Sequence, residues 1–490
     1  MFEMAILAAA TARYCRPITS SGIERFVIRA GEHAGASGVA PPMYHDRLLL
    51  AAGSSCRAGP PERAASPSPP ATGSGGKLVE LDGLRGVAAV IVVAWHFALG
   101  FTPQRIGIVP PFDPHAGIVG SPAFALLDGP GAVMLFFVLS GYVLPLAYFR
   151  SGRIEVVLRA AAKRWFRLVG LMVLAAIGSY LLFHFGLYHY RRAGELTQSN
   201  WLATFGGGDA GGQLHPSLLR AVLEGSVFAF VRPADMYDPV FWTMRDELLG
   251  SLLTFALGLV IWRSRPRAGA VALLLAALAT QWVEPRLVAF VAGLALSWAN
   301  ARGMLALPRW APPACLGVGL LLFGYIEPRG LYAWLGFLPH ASDCRYDQIW
   351  VQTLGSVLLI VGLLGSERAG RVLASSVGRL LGRLSFPVYL FHFPLLCSLS
   401  CWLFLAASAS LPHAMALAVA AVGTVPALLA VAYAFARVDE LWLRQVNRVA
   451  RKVIVLPDGQ ASGQPWGRQR IADGVSGAAS AARDTTAVAP

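Results

Sequence analysis

Charge is what this sequence lacks most. Only 14% of its 490 residues are Asp, Glu, Lys or Arg, against about 25% in an ordinary soluble domain. Acid is scarcer than base, with 27 Asp and Glu beside 41 Lys and Arg. Cysteine is sparse as well. Six residues (Cys15, Cys56, Cys315, Cys344, Cys397 and Cys401) are scattered without any Cys/His spacing that suits a structural zinc site, so neither a disulfide framework nor a metal is indicated. No internal repeat of fixed period is visible, and the apolar run at 4–12 follows Glu3 rather than a basic stretch, which makes a poor signal peptide.

Apolar side chains fill the space that charge leaves. Hydrophobic residues make up 56% of the chain and the mean hydropathy is +0.56, more apolar surface than a soluble chain of this length can hide. Ten stretches read as spans of a polytopic all-α membrane helix bundle: about 82–100, 131–149, 165–187, 241–262, 268–284, 286–300, 313–326, 350–365, 386–406 and 414–436. An even number sets both ends on one side. Connections on that side then hold 19 basic residues and the opposite ones about eight, so the positive-inside rule predicts two cytoplasmic termini. A basic balance that in a soluble protein suggests nucleic acid here reports orientation, and no nucleic-acid partner is expected.

Residues 1–76 end in a Pro/Gly/Ser linker at 66–76 and predict a disordered extension; translation from Met43 would lose nothing essential. Residues 77–458 form the transmembrane domain, and 459–490 read as a second loose tail. The connection at about 188–240 is too long for a turn. Its segment 217–231 mixes apolar residues with Arg220 and Glu224, which suits a helix at the membrane interface.

Ionisable residues inside spans are functional candidates because lipid-embedded charge is costly. In the first span Arg85 precedes His96 by eleven residues. That interval turns about 1100° and rises roughly 16 Å, so a cation at one mouth and an imidazole near mid-membrane share one helix face. Taken singly, Arg85 reads as a snorkelling residue and His96 as a packing histidine; the shared face favours function.

Five stretches, in order, carry a resemblance: Arg85 with His96; Leu135-Phe-Phe-Val-Leu-Ser-Gly-Tyr-Val143; Lys163-Arg-Trp-Phe-Arg-Leu168; Phe241-Trp-Thr-Met-Arg-Asp-Glu247; and Leu381-Gly-Arg-Leu-Ser-Phe-Pro-Val-Tyr-Leu-Phe-His-Phe-Pro394. Over about 78–437 the chain resembles the membrane-bound acyltransferase 3 family. The resemblance implies an O-acyltransferase in a bilayer, a bacterial cytoplasmic membrane in the first instance, moving an acyl group such as acetyl to a carbohydrate or envelope glycan. It departs from the family pattern at Met134, where many members have Asp, a role that Asp128 would have to take over. Acyl-CoA is the expected co-substrate, with no bound cofactor.

Acyl transfer to a hydroxyl needs a base, and histidine titrates nearest neutral pH. His96 is the candidate base, while Arg85, Lys163, Arg164 and Arg167 are candidates for the donor phosphates. Plain topological charge is the alternative for the last three. Glu247, expected near the outer end of the fourth span, is the second catalytic candidate, able to orient an imidazole or bind a sugar hydroxyl; the alternatives are a partner for Arg245 or a helix-start carboxylate. Trp242 of the same stretch is a further site candidate. His392 serves either the site or the helix that Pro394 loosens. Ser140 and Gly141 allow close helix approach, and no triad spacing marks Ser140 as a nucleophile. A transporter or flippase of a lipid-linked sugar is the competing reading, though the repeated halves common in transporters are not seen.

Overall fold

The computed structural model describes residues 74–107, 117–209, 215–232, 236–338 and 345–453, with no strand among them. Ten helices occupy the ten expected stretches: α1 Ser74–Phe101, α2 Gly129–Ser151, α3 Ile154–His184, α4 Trp242–Arg263, α5 Pro266–Val283, α6 Val288–Ala301, α7 Ala311–Phe323, α8 Tyr346–Gly365, α9 Ser376–Ser408 and α10 His413–Val453. Seven of the described helices are long and apolar enough to cross a membrane: α1, α2, α3, α5, α8, α9 and α10. At 14 and 13 residues, α6 and α7 fall short of the ~20 that a full crossing takes. The all-α polytopic bundle stands. The expected tails at 1–76 and 459–490 lie outside the described residues, except that α1 already begins at Ser74.

Local chemistry sets the helix ends. Asp128 caps α2 by accepting from Gly131 N at 2.8 Å, with Pro130 in the first turn. Ser375 caps α9 in the same way from Gly378 N at 3.2 Å. Between α3 and α4, helical turns run from Leu218 to Val231 through a wide π turn at Glu224–Phe228. Glu224 there is buried and accepts from Tyr237 N at 2.9 Å.

Helices α1, α2 and α9 form the centre, with α3, α6 and α8 against them. Glycine lets the central pairs approach. A Cβ on Gly86 of α1 would lie 2.5 Å from the Leu381 carbonyl carbon and 2.6 Å from Gly382 N of α9. Between α2 and α6, a Cβ on Gly141 would meet Phe290 O at 2.2 Å and one on Gly293 would meet Val138 O at 2.1 Å. Helix association in lipid rests on such close packing because lipid tails are as apolar as Leu. Outward faces carry exposed Val271, Leu274, Leu275 and Leu278 on α5 and Val422, Val425 and Leu429 on α10, the surface a bilayer covers.

Candidate functional site

The close α1/α9 contact brings two histidines together. His96 Nδ1 lies 2.7 Å from His392 Nε2. On its other side, His392 Nδ1 lies 2.7 Å from Tyr389 O and 3.2 Å from Val388 O. Carbonyl oxygens only accept, so a neutral His392 carries its proton on Nδ1 and offers a lone pair at Nε2. His96 Nδ1 therefore donates to it. The tautomer that results leaves the lone pair of His96 on Nε2, which makes no hydrogen bond among the described residues. His392 thus serves site and helix at once, on carbonyls other than Leu390 O, the one that Pro394 leaves without its N–H.

Aromatic rings fix the imidazole of His96. Trp201 stacks on it with centroids 5.3 Å apart and planes 10° from parallel, while Phe393 meets it edge-on at 6.0 Å. Trp201 belongs to the 188–240 connection, and the end of α1 explains how it gets there. Ser199 Oγ donates to Leu99 O at 2.7 Å and Thr197 Oγ1 to Gly100 O at 2.8 Å, satisfying carbonyls that a helix end leaves free. Ser199 also caps the short helix Asn200–Ala203. Behind this turn, Tyr190 donates to Asp209 at 2.6 Å, and Arg191 pairs with the same carboxylate. Burial, aided by Asp209, pushes the Tyr190 phenol above its ordinary range, so it stays a donor. Neither Trp201 nor its supports is signalled in the sequence beyond the capping pattern of Ser199.

A second polar layer surrounds Glu247, and it is not the one expected. Glu247 forms an ion pair with Arg164 and accepts from Ser140 Oγ at 2.8 Å. Arg164 Nε donates to Ser251 Oγ at 2.8 Å, and Ser251 Oγ to Glu247 O at 2.5 Å. Both charged side chains are nearly enclosed, at 9% and 13% exposure. The carboxylate therefore holds a guanidinium and a hydroxyl, and the imidazole of His96 is oriented by His392 instead. Nor is Arg245 its partner, since that residue bonds Glu284.

The expected donor-binding cluster divides. Arg85 bonds Asp82 at 3.1 Å and feels the charges of Glu247 and Arg167, so Arg85, Arg164 and Arg167 form one group. Lys163 turns away and donates to Asn447 of α10 at 2.9 Å. Trp242 lies apart from Glu247, under the Arg286 guanidinium at 4.6 Å, and Arg286 forms an ion pair with Asp246 at 2.9 Å. Asp128 does not take the place of the missing carboxylate beside Met134. Its two oxygens are held by Gly131 N and, at 2.9 Å, by Gln352 Nε2.

Among the described residues no group of His, Cys, Asp and Glu suits a metal ion. The arrangement offers a candidate base, His96 Nε2, fixed by a histidine that is itself fixed by backbone, on the same face of α1 as a cationic layer roughly 16 Å along the helix. A family model described as an acyltransferase domain, that of acyltransferase 3, matches residues 78–437. No curated protein and no solved structure gives a significant match.

Proposed function

Because the chain belongs to the acyltransferase 3 family, we propose that it transfers an acyl group, acetyl in the first instance, from acyl-CoA to a hydroxyl of a carbohydrate or cell-envelope glycan. The observation that carries this reading is the His96–His392 pair, which leaves His96 Nε2 as an open lone pair. His96 Nε2 takes the hydroxyl proton as the oxygen attacks the thioester carbonyl. The C–S bond then breaks, the leaving thiolate takes the proton back from His96, and ester and free thiol result. While His96 is charged, its Nδ1–H remains bonded to His392, whose own Nδ1–H rests on two carbonyls, so the proton order needs no rearrangement.

Arg85 and Arg167, with Arg164 behind them, suit the donor's phosphates. The long flexible arm between phosphates and thioester in coenzyme A fits the interval between Arg85 and His96. Glu247 acts in this scheme as a positioning residue that neutralises Arg164, and Ser140 as its hydrogen-bond donor. Cytoplasmic donor supply agrees with the orientation that the count of basic residues favours.

Purified full-length protein given acyl-CoA and a hydroxyl acceptor is expected to release free coenzyme A. His96→Ala is expected to slow turnover about 10²-fold or more, the scale of losing a positioned base, with donor binding retained. Arg85→Ala is expected to weaken donor binding, and Arg85→Lys to restore part of it. Acceptor-dependent thiol release in folded His96→Ala protein rejects the base. If acyl-CoA stays intact with every acceptor while a lipid-linked sugar crosses proteoliposomes, the chain is a transporter instead.

A further inference from the structure

A cavity of about 540 Å³ opens between α3 and the polar end of α10, lined by Arg159, Lys163, Arg444, Asn447, Arg448 and Ala450. Four of these six residues are cationic and none is acidic. Among the described residues Arg159 Nε is buried there without a hydrogen-bond partner, a state that costs free energy until an acceptor arrives. Gathered cations also repel one another. An anion in the cavity relieves both costs.

The surroundings say which anion. α10 is 41 residues long, about 61 Å, roughly twice the hydrocarbon core. Its last turns therefore run on past the core beside the start of α3. On these same two helices, Leu158, Phe166, Leu441 and Val449 are exposed and apolar. Trp442 Nε1 donates to Phe166 O at 2.7 Å and ties the helices together next to the cavity. Cations on two helices that also expose apolar side chains match a phosphate that carries acyl chains, and basic pockets between membrane helices take anionic headgroups. A soluble phosphate compound would use the cations and leave those exposed apolar side chains idle.

We propose that this cavity binds the headgroup of an anionic phospholipid, its phosphate against Arg159, Lys163, Arg444 and Arg448 and its chains along the exposed apolar side chains of α3 and α10. The lipid fastens α10 to the part of α3 whose other face carries Arg164. This site is independent of the proposed reaction.

The test is native mass spectrometry of the full-length protein, with phosphatidylglycerol or phosphatidylcholine added at equal amounts. Phosphatidylglycerol is expected to be retained at least ten times better. R159Q and R444Q are each expected to weaken retention about fivefold, while R444K and a triple R263Q/R265Q/R267Q control, whose charges lie outside the cavity, keep it. Equal retention of the two lipids, or equal loss in the control, overturns the proposal. So does displacement of phosphatidylglycerol by coenzyme A alone, which would assign the cavity to the donor.

Discussion

His96 donates from Nδ1 to His392 Nε2 across 2.7 Å, and two carbonyls of α9 dictate that direction by holding the proton of His392 on Nδ1. In the proposed reaction His392 is thus a positioning residue for the base. His392→Ala is expected to lower kcat about 10²-fold with little change in donor KM. His392→Gln, whose side-chain oxygen reaches about as far as Nε2, is expected to recover part of that loss. Both should displace the acid limb of the kcat/KM profile, since an imidazole that loses its partner titrates differently. An unmoved limb would reduce His392 to packing.

Glu247 and Arg164 are a nearly enclosed pair, so removing one partner strands the other. Glu247→Ala is expected to cost about 3–5 kcal/mol, read as a lowered thermal midpoint in detergent. Replacing both, Arg164→Met with Glu247→Leu, is expected to recover most of the midpoint. A Glu247→Gln protein that melts like the wild type yet has lost turnover would put the carboxylate on the substrate instead.

The places where sequence and structure part have physical causes. Helix positions were legible because ~20-residue apolar runs leave few other structures in lipid, and the shared face of Arg85 and His96 follows from helix geometry alone. Glu247 has an unexpected partner because α3 starts at Ile154, not near 165, so Arg164 lies ten residues inside a helix and reaches a neighbour across the bundle. Lys163 and Arg164, adjacent and hence 100° apart, belong on different faces: Lys163 continues the Arg159 face toward α10, while Arg164 turns inward. That signal was in the sequence. Trp201 over His96 was not, because its position depends on hydrogen bonds between residues about a hundred apart.

Gly86 meets backbone, which cannot swing aside. Gly86→Ala puts a methyl 2.5 Å from the Leu381 carbonyl carbon and must part α1 from α9. Overpacking of this kind costs about 1–3 kcal/mol, and here it also lengthens the histidine contact. The expected result is a lower thermal midpoint together with lost kcat. Gly178→Ala, where nothing lies within 4 Å, should leave the midpoint unchanged, and an equal fall in both variants would contradict the close-packing account.

Orientation rests on the count of basic residues. Reporters fused between α8 and α9, within 366–375, and after Lys452 are expected to read cytoplasm, and one near Gly208 the opposite side. Readings on the same side at Gly208 and after Lys452 would overturn the arrangement and with it the donor's proposed route.

Trp201 lies face to face with His96, so its indole should respond to the charge on that ring. Stacking of aromatic rings is worth about 0.5–1.5 kcal/mol beyond the area it buries, which corresponds to roughly 2–10-fold in rate when only the reactive geometry depends on it. Trp201→Ala is therefore expected to lower kcat by up to about tenfold, with Trp201→Phe keeping most of the activity because it retains a flat ring. A merely structural role predicts the same order of activities, so a spectroscopic signature must decide. The chain has 13 tryptophans, and the wild-type emission minus that of Trp201→Phe isolates one. A protonated imidazole quenches a stacked indole, so the difference emission should rise with pH along a single-proton curve. The same difference taken in a His96→Ala background should be flat. A pH-dependent difference signal that persists without His96 would mean that Trp201 reports another group, and its assignment as the ring that holds the base would fall.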